Sequence, residues 1–426
     1  MADTDIHRTV ETVFRIEQAR LIAGLTRMLR DVGLAEELAQ DALVKALSEW
    51  PKSGVPDNPG AWLMAAAKRR AIDRLRRARV QERKHAEIGR DLDEGRDDAV
   101  EQIDAALDDD IGDDLLNLIF IACHPVLSPE ARAALTLRLI AGLTTKEIAR
   151  AFLTTEPTVA QRITRAKKTL KEAGAAYEIP RGEERAVRLA SVLEVVYLIF
   201  NEGYAATAGD DLIRADLCAE AQRLGRILTG IAPNEPEAFG LLALMEIQAS
   251  RLKARIGPDG EAVPLPEQDR AQWDWLLIGR GLDALEHAEH LDGADGHYAL
   301  QAAIAACHGR ASRAEDTDWA RIAGLYDRLA AVTPSPVIRL NGAVAHSMAY
   351  GPEVGLALLA PLERDETLRG YLPLYAARGD FLFRAARYAE ARAAFEQAAK
   401  LSRNTAERNF LLKRAAACGP AGPITC

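Results

Sequence analysis

"LTTKEIARAFLTTEPTVAQRITRAKKTL", residues 143–170, reads as two short helices joined by a tight corner. Thr144 and Glu147 have the spacing of a capping box, so a helix opens there and runs through Phe152. Leu153 and Thr154 make the corner, which contains no glycine. Thr155 can cap a second helix, with Pro157 tolerated in its first turn. Within that helix Val159, Ile163, Ala166 and Leu170 recur at steps of four, three and four, the pattern of a single buried stripe. Thr158, Gln161, Arg162, Arg165 and Lys168 are left facing outward. Such a helix-turn-helix suits groove recognition, because polar side chains reach base edges while cations hold phosphates. The alternative is an amphipathic hairpin whose charged face is only solvated.

A second basic helix lies upstream, in "NPGAWLMAAAKRRAIDRLRRARVQERK", residues 58–84. Leu63, Ala67, Ala71 and Leu75 share one side, and Ile72 widens that stripe. Lys68, Arg69, Arg70, Arg74, Arg76 and Arg77 cover most of the rest, against the single internal carboxylate Asp73. So dense a set of cations repels itself unless a polyanion neutralises it, and a phosphate backbone is the natural partner. Trp62, at the start of this helix, can either pack in the core or stack on a base. Just before it, in "LAEELAQDALVKALSEW", Leu38, Ala42, Leu43, Ala46, Leu47 and Trp50 form an inward stripe, leaving Glu36, Glu37, Gln40, Asp41 and Lys45 as a charged outer face.

The chain has 426 residues, enough for two to four domains, and nearly half are hydrophobic, which argues for folded globular parts. Helical periodicity dominates and β-branched alternation is rare, so the expected fold is all-α. The formal charge of -9 argues against a chain coated in nucleic acid, although local patches can be basic. The five cysteines are scattered without CxxC spacing, so neither a disulfide framework nor a zinc cluster is expected and a reduced, cytoplasmic setting is. No apolar run approaches the roughly 20 residues that span a bilayer, so no membrane association is expected.

Composition divides the chain into residues 1–84, an acidic linker at 85–114, a helical block at 115–178, and a long helical region at 180–426. In "YAARGDFLFRAARYAEARAAFEQAAKLSR" the order Tyr375, Gly379, Leu382, Tyr388, Ala391, Phe395, Ala398 follows the tetratricopeptide pattern, with Arg403 where its terminal proline would stand. A degenerate copy runs Tyr298, Ala302, Ala305, then an insertion, then Trp319, Ile322, Tyr326, Leu329 and Pro334; another begins near Ile338. A lone helix pair cannot bury its apolar face, so several units must stack.

An acidic-faced helix, a Trp-led basic helix, an acidic linker and a helix-turn-helix, in that order, resemble a bacterial sigma factor of the extracytoplasmic-function type. Residues 11–79 look like its region 2, and "LSPEARAALTLRLIAGLTTKEIARAFL" with the basic helix after it looks like its region 4. The tail resembles the variant of that family with a long tetratricopeptide-like extension, on "IFIACHPVLSPEARAALTLRL", "YLIFNEGYAA", "RIGPDGEAVPLPEQDRAQWD" and "TPSPVIRLNGAVA". The resemblance implies that Glu37, Gln40, Asp41 and Lys45 dock on core RNA polymerase. It places Trp62, Lys68, Arg69, Arg70, Asp73 and Arg74 where the minus-ten element is melted and read, with Arg76 and Arg77 extending that basic face. Gln161, Arg162, Thr164 and Arg165 fall where the minus-thirty-five element is read, with Thr158 and Lys168 beside them. Arg69 stands where the family commonly has asparagine, which favours phosphate contact over base reading. By the same analogy the acidic linker threads toward the RNA path; a plain solvated tether is the other reading.

Cys123-His124 looks like half a metal site, but no partner pair with ligand spacing accompanies it, so a packed core position is expected. No nucleophile is paired with a base and no phosphate-cradling glycine loop appears, so neither catalysis nor a cofactor or metal is expected. The reading is therefore a promoter-specificity subunit whose partners are core RNA polymerase and promoter DNA, with a protein or peptide partner for the repeats. A stand-alone helix-turn-helix regulator with a repeat sensor, or a scaffold whose basic helices bind acidic proteins, are the alternatives.

Overall fold

A computed structural model describes residues 2–86, 111–152, 154–175, 180, 182–204, 213–257, 263–402 and 405–419. Most of the acidic linker and the corner residue Leu153 lie outside the described residues. Among those described there is no β-strand, as the sequence periodicity predicts. The chain divides into two compact units, Met1–Val196 and Tyr197–Cys426.

The first unit begins with α1 (Ala2–Leu29), α2 (Val32–Ser53) and α3 (Pro59–Ala86), which pack on one another. Asp31 caps α2 by accepting from the Leu34 N–H at 3.0 Å, satisfying an amide that has no partner within the helix. Leu38, Ala42, Ala46 and Trp50 are buried as the stripe predicts, with Leu43 and Leu47 half-buried; on α3 Leu63, Ala67 and Ala71 are inaccessible and Ile72 is half-buried, while the Leu75 side chain lies outside the described ones. Gly24 permits a close approach of α1 to α3, since a Cβ there would meet the Met64 methyl at 3.1 Å. The opposite side of α1 packs on α4 (Ile111–Ala122) and α5 (Pro129–Leu139). α1 is thus common to both halves of this unit.

α6 (Thr145–Ala151) and α7 (Glu156–Glu172) form the helix-turn-helix. The capping box is complete: Thr144 Oγ1 accepts from the Glu147 N–H at 3.2 Å, and Glu147 accepts from the Thr144 N–H at 2.7 Å. Thr155 caps α7. A hydroxyl on α6, Thr145, donates to Glu156 on α7 at 2.9 Å and ties the two helices at their corner. Val159, Ile163, Ala166 and Leu170 are all buried.

α8 (Gly182–Tyr204) starts in the first unit and ends in the second. Its Ser191 donates to the Cys123 carbonyl at 2.7 Å and Arg188 to that of Phe120 at 2.8 Å, so otherwise orphaned carbonyls at the end of α4 are satisfied. Cys123 is buried beside Thr136, its thiol pushed up to about 11 by desolvation, and His124 accepts from the Val126 N–H. The pair serves packing and a turn.

In the second unit α9 (Ala215–Ile231), α10 (Pro236–Ala249), α11 (Trp275–His290), α12 (His297–Arg310), α13 (Trp319–Val332), α14 (Pro336–Tyr350), α15 (Pro352–Leu362), α16 (Leu372–Arg384), α17 (Tyr388–Leu401) and α18 (Thr405–Ala417) pack chiefly on their chain neighbours. That pattern is a stack of helical hairpins, each covering the face its neighbour cannot bury alone. In the α16–α17 pair a Cβ at Gly379 would lie 2.7 Å from the Phe395 ring, so the absent side chain is what lets the ring seat. Gly379→Val should therefore cost about 1–3 kcal/mol through overpacking. Denaturant unfolding followed by circular dichroism checks this; an unchanged midpoint would show that the pair separates at no cost.

Candidate nucleic-acid interface

α7 presents Thr158, Gln161, Thr164, Arg165 and Lys168 to solvent, with Arg162 half-buried at their edge. Thr158, Gln161, Arg162, Arg165 and Thr169 line one wall of a groove of about 340 Å³ whose other wall is Val126, Leu127, Ser128 and Ala131. Beside it, Glu130 is held below the usual carboxylate range, first by a backbone hydrogen bond at its helix N-terminus and then by Ser128, with Arg162 adding to the effect. Two threonines are partly committed: Thr158 Oγ1 pairs with Thr155 Oγ1 at 2.7 Å, and Thr164 donates to the Ala160 carbonyl at 2.9 Å. Gln161, Arg162 and Arg165 carry the uncommitted donors of this face among the described residues.

On α3, Arg69, Arg70, Asp73, Arg74 and Arg76 are exposed and Lys68 is half-buried, while the Arg77 side chain lies outside the described ones. The expectation that these cations stay unpaired without a polyanion is corrected. Arg70 pairs with Asp41 at 2.5 Å and Arg74 with Glu37 at 2.7 Å, so α2 supplies their counter-ions. The Glu37 hydrogen bond raises the Arg74 guanidinium further above its ordinary value. Both pairs are open to water and worth only about 0–1 kcal/mol each, so a stronger anion can displace them. Trp62 is neither fully buried nor free. Its ring packs edge-on against the buried Trp50 at 5.3 Å while Lys45 lies 5.6 Å from its centroid; Gln40 is half-buried on the same helix.

Sequence reasoning placed Glu36 on the outer face of α2, and the structure corrects this. Glu36 is 5 % exposed, because that side of α2 is covered by the helix-turn-helix half. Its carboxylate accepts from Arg138 Nε of α5 at 2.7 Å and from Lys167 of α7. One turn on, Lys171 donates to Asp31 at 2.9 Å, so the residue capping α2 also holds the C-terminal end of α7. Burial opposes ionisation of Asp31, but the bonds from Lys171 and the Leu34 N–H outweigh it and its pKa is lowered. Gln18 donates to the Arg138 carbonyl at 3.0 Å and Arg27 pairs with Asp114 at 3.4 Å, extending the same seam. Apart from Arg27 and Asp114, the partners are separated by 102 to 140 residues, so no local pattern announces them.

Two basic helices on one compact helical unit, one of them the second helix of a helix-turn-helix beside an open groove, define a nucleic-acid-binding protein of the helix-turn-helix class. Residues 13–80 match sigma-70 region 2 and residues 117–170 match sigma-70 region 4. Residues 188–289 match a family of unknown function, DUF6596. An uncharacterized protein, R00370, of Rhizobium meliloti is 42 % identical over 394 residues, covering 92 % of this chain and 91 % of its own length. The probable ECF RNA polymerase sigma factor SigI of Mycobacterium tuberculosis is 27 % identical over 186 residues, 44 % of this chain and 62 % of that protein. The ECF RNA polymerase sigma factor SigK of a Mycobacterium species is 37 % identical over 76 residues, 17 % of this chain and 38 % of that protein. No solved structure matches. The chain belongs to the extracytoplasmic-function sigma factors, in a form that carries an additional C-terminal helical domain.

Glu36→Ala leaves Arg138 and Lys167 partly buried without their anion and should destabilise the first unit by about 3–5 kcal/mol, read as a lower denaturant midpoint. Because Asp31 is depressed in the folded state, its stabilisation is present above the ordinary carboxylate pKa of about 4 and is lost as pH falls through the folded value. Asp31→Asn should flatten the acid limb of a stability–pH profile; a profile superimposing on the parent's would remove Asp31 from this role.

Proposed function

We propose that the chain binds core RNA polymerase through the α2 face of Glu37, Gln40, Asp41 and Lys45 and directs it to bipartite promoters. The α3 face, led by Trp62 and including Lys68, Arg69, Arg70, Asp73, Arg74, Arg76 and Arg77, opens and holds the minus-ten strand. The α7 face of Thr158, Gln161, Arg162, Thr164, Arg165 and Lys168 reads the minus-thirty-five element. The observation that carries this reading is the exposed row of α7 donors beside its groove, on the same compact unit as the exposed cations of α3. Residues 180–426, read as a tetratricopeptide-like extension, modulate that activity by holding a protein or peptide partner.

The geometry adds a requirement. Two elements named minus ten and minus thirty-five are about 25 base pairs apart, which at ~3.4 Å per step is ~85 Å of duplex. Helix α7 is held to α2, on which α3 packs, by hydrogen-bonded ion pairs at Glu36 and Asp31, so the α3 and α7 faces belong to one compact unit rather than to points that far apart. Promoter engagement therefore requires this seam to part, with polymerase and DNA contacts replacing it.

In vitro transcription with purified core polymerase is the direct test; a chain that neither associates with core nor lets it initiate at any promoter refutes the reading. Arg165→Ala should cost about 1–3 kcal/mol in promoter affinity if the residue reads a base edge, with the loss confined to promoters carrying the preferred base. An equal loss on every sequence would assign Arg165 to phosphate contact instead. Deleting everything after Val196, which keeps the start of α8 on its α4 partners, tests the extension; unaltered transcription in every condition would end the modulatory role.

A further inference from the structure

Five side chains of the second unit form an alternating column of cations and rings. The Arg255 guanidinium lies 3.8 Å from the Tyr204 ring centroid, Arg251 lies 5.9 Å from both Tyr204 and Trp273, and Arg270 lies 4.6 Å from Trp273. All five fall inside residues 188–289, the span matched by the family of unknown function. Among the described residues none of these guanidiniums forms an ion pair with a carboxylate. Asp316 and Glu315 act on Arg270 only at a distance, and both are paired with Arg313.

The three arginines differ in how their donors are used. Arg270 is 8 % exposed and spends its terminal nitrogens on the carbonyls of His308 and Ala311 and on Thr317, leaving Nε buried without a partner. Its role is to hold the end of α12. Arg251 and Arg255 are half-buried and each gives one bond, to the Tyr204 hydroxyl and the Tyr204 carbonyl. Their other donors have no partner among the described residues. Trp273 Nε1 and His308 Nδ1 are likewise buried and unpaired, and His308 is held near pKa 4 by burial and by Arg251 and Arg270, so it stays neutral and supplies no charge of its own. Burial also lowers the pKa of Arg255 and of Arg270, and the neighbouring Arg251 cation adds to it.

Three guanidinium charges without a carboxylate partner among the described residues are costly to gather against rings, and buried unpaired donors add to that cost. A bound anion removes both. We infer that Arg251 and Arg255 form a binding site for a small phosphoryl-bearing ligand, with Arg270, Trp273 and His308 behind them. Guanidinium forks engage phosphate and carboxylate oxygens alike, but a dianionic phosphoryl group compensates more of this charge than a carboxylate does. The site is independent of promoter recognition, and its ligand would make the second unit a sensor of a phosphorylated metabolite.

The test is calorimetric titration of the full chain, without polymerase or DNA, using inorganic phosphate, a nucleoside monophosphate and citrate as probes at matched ionic strength. Saturable binding of a phosphoryl probe is expected, weakened by about tenfold or more in Arg251→Gln/Arg255→Gln, with part restored in Arg251→Lys/Arg255→Lys. Arg165→Ala should bind as the parent does, which separates this site from the α7 face. Thermal unfolding without ligand guards against a merely structural role: the Lys variant keeps the charge, so its loss of binding at an unchanged midpoint still reports the fork. No saturable binding up to about 10 mM, equal binding by the Gln variant, or a preference for citrate would overturn the proposal. So would a loss confined to duplex DNA binding, which would make the column a backbone contact.

Discussion

The Glu36 carboxylate, buried between Arg138 and Lys167, is the contact on which the arrangement of the first unit depends. A carboxylate removed from water is tolerable only when cations and hydrogen bonds replace its hydration. Here those cations come from the helix-turn-helix half, so the acidic helix and the basic helix must be in contact for either to be satisfied. Asp31 repeats the device at the next turn, where one carboxylate both caps α2 and holds Lys171.

Charges in this unit have alternative partners. Lys167 and Lys171 belong to the helix whose outer face carries Gln161 and Arg165, while Glu37 and Asp41 neutralise Arg74 and Arg70. The exposed pairs are cheap to exchange, whereas the buried triad is not. A polyanion approaching α3 therefore meets little resistance, while separating α2 from α7 requires replacement contacts for Glu36. That difference makes the seam, rather than the exposed faces, the energetic control point of the unit.

The second unit is organised by different physics. Neighbour-on-neighbour packing of helical hairpins buries small residues such as Gly379, Ala391 and Ala398, and the space left at Gly379 is taken by the Phe395 ring. Between α10 and α11 the hairpin rhythm is interrupted by short 3-10 turns, and there the Arg251, Arg255 and Arg270 column is assembled. Departure from the repeat is where unpaired polar chemistry collects.

The all-α class, the capped helix-turn-helix, the buried stripes of α2, α3 and α7, and the α16–α17 pair were all legible in the residues, because caps and helical periodicity are local properties of the chain. Packing of Cys123 was legible too, from the lack of any partner with ligand spacing. The burial of Glu36 was not, since the same heptad-like pattern serves a solvated face and a face covered by another segment. Nor were the counter-ions of Arg70 and Arg74, which come from the preceding helix, or the cation–ring column, which gathers Tyr204, Arg251, Arg255, Arg270 and Trp273 from separate stretches of the chain. Local spacing sets which side of a helix is apolar; only the packing of distant segments decides which charges face water and which face each other.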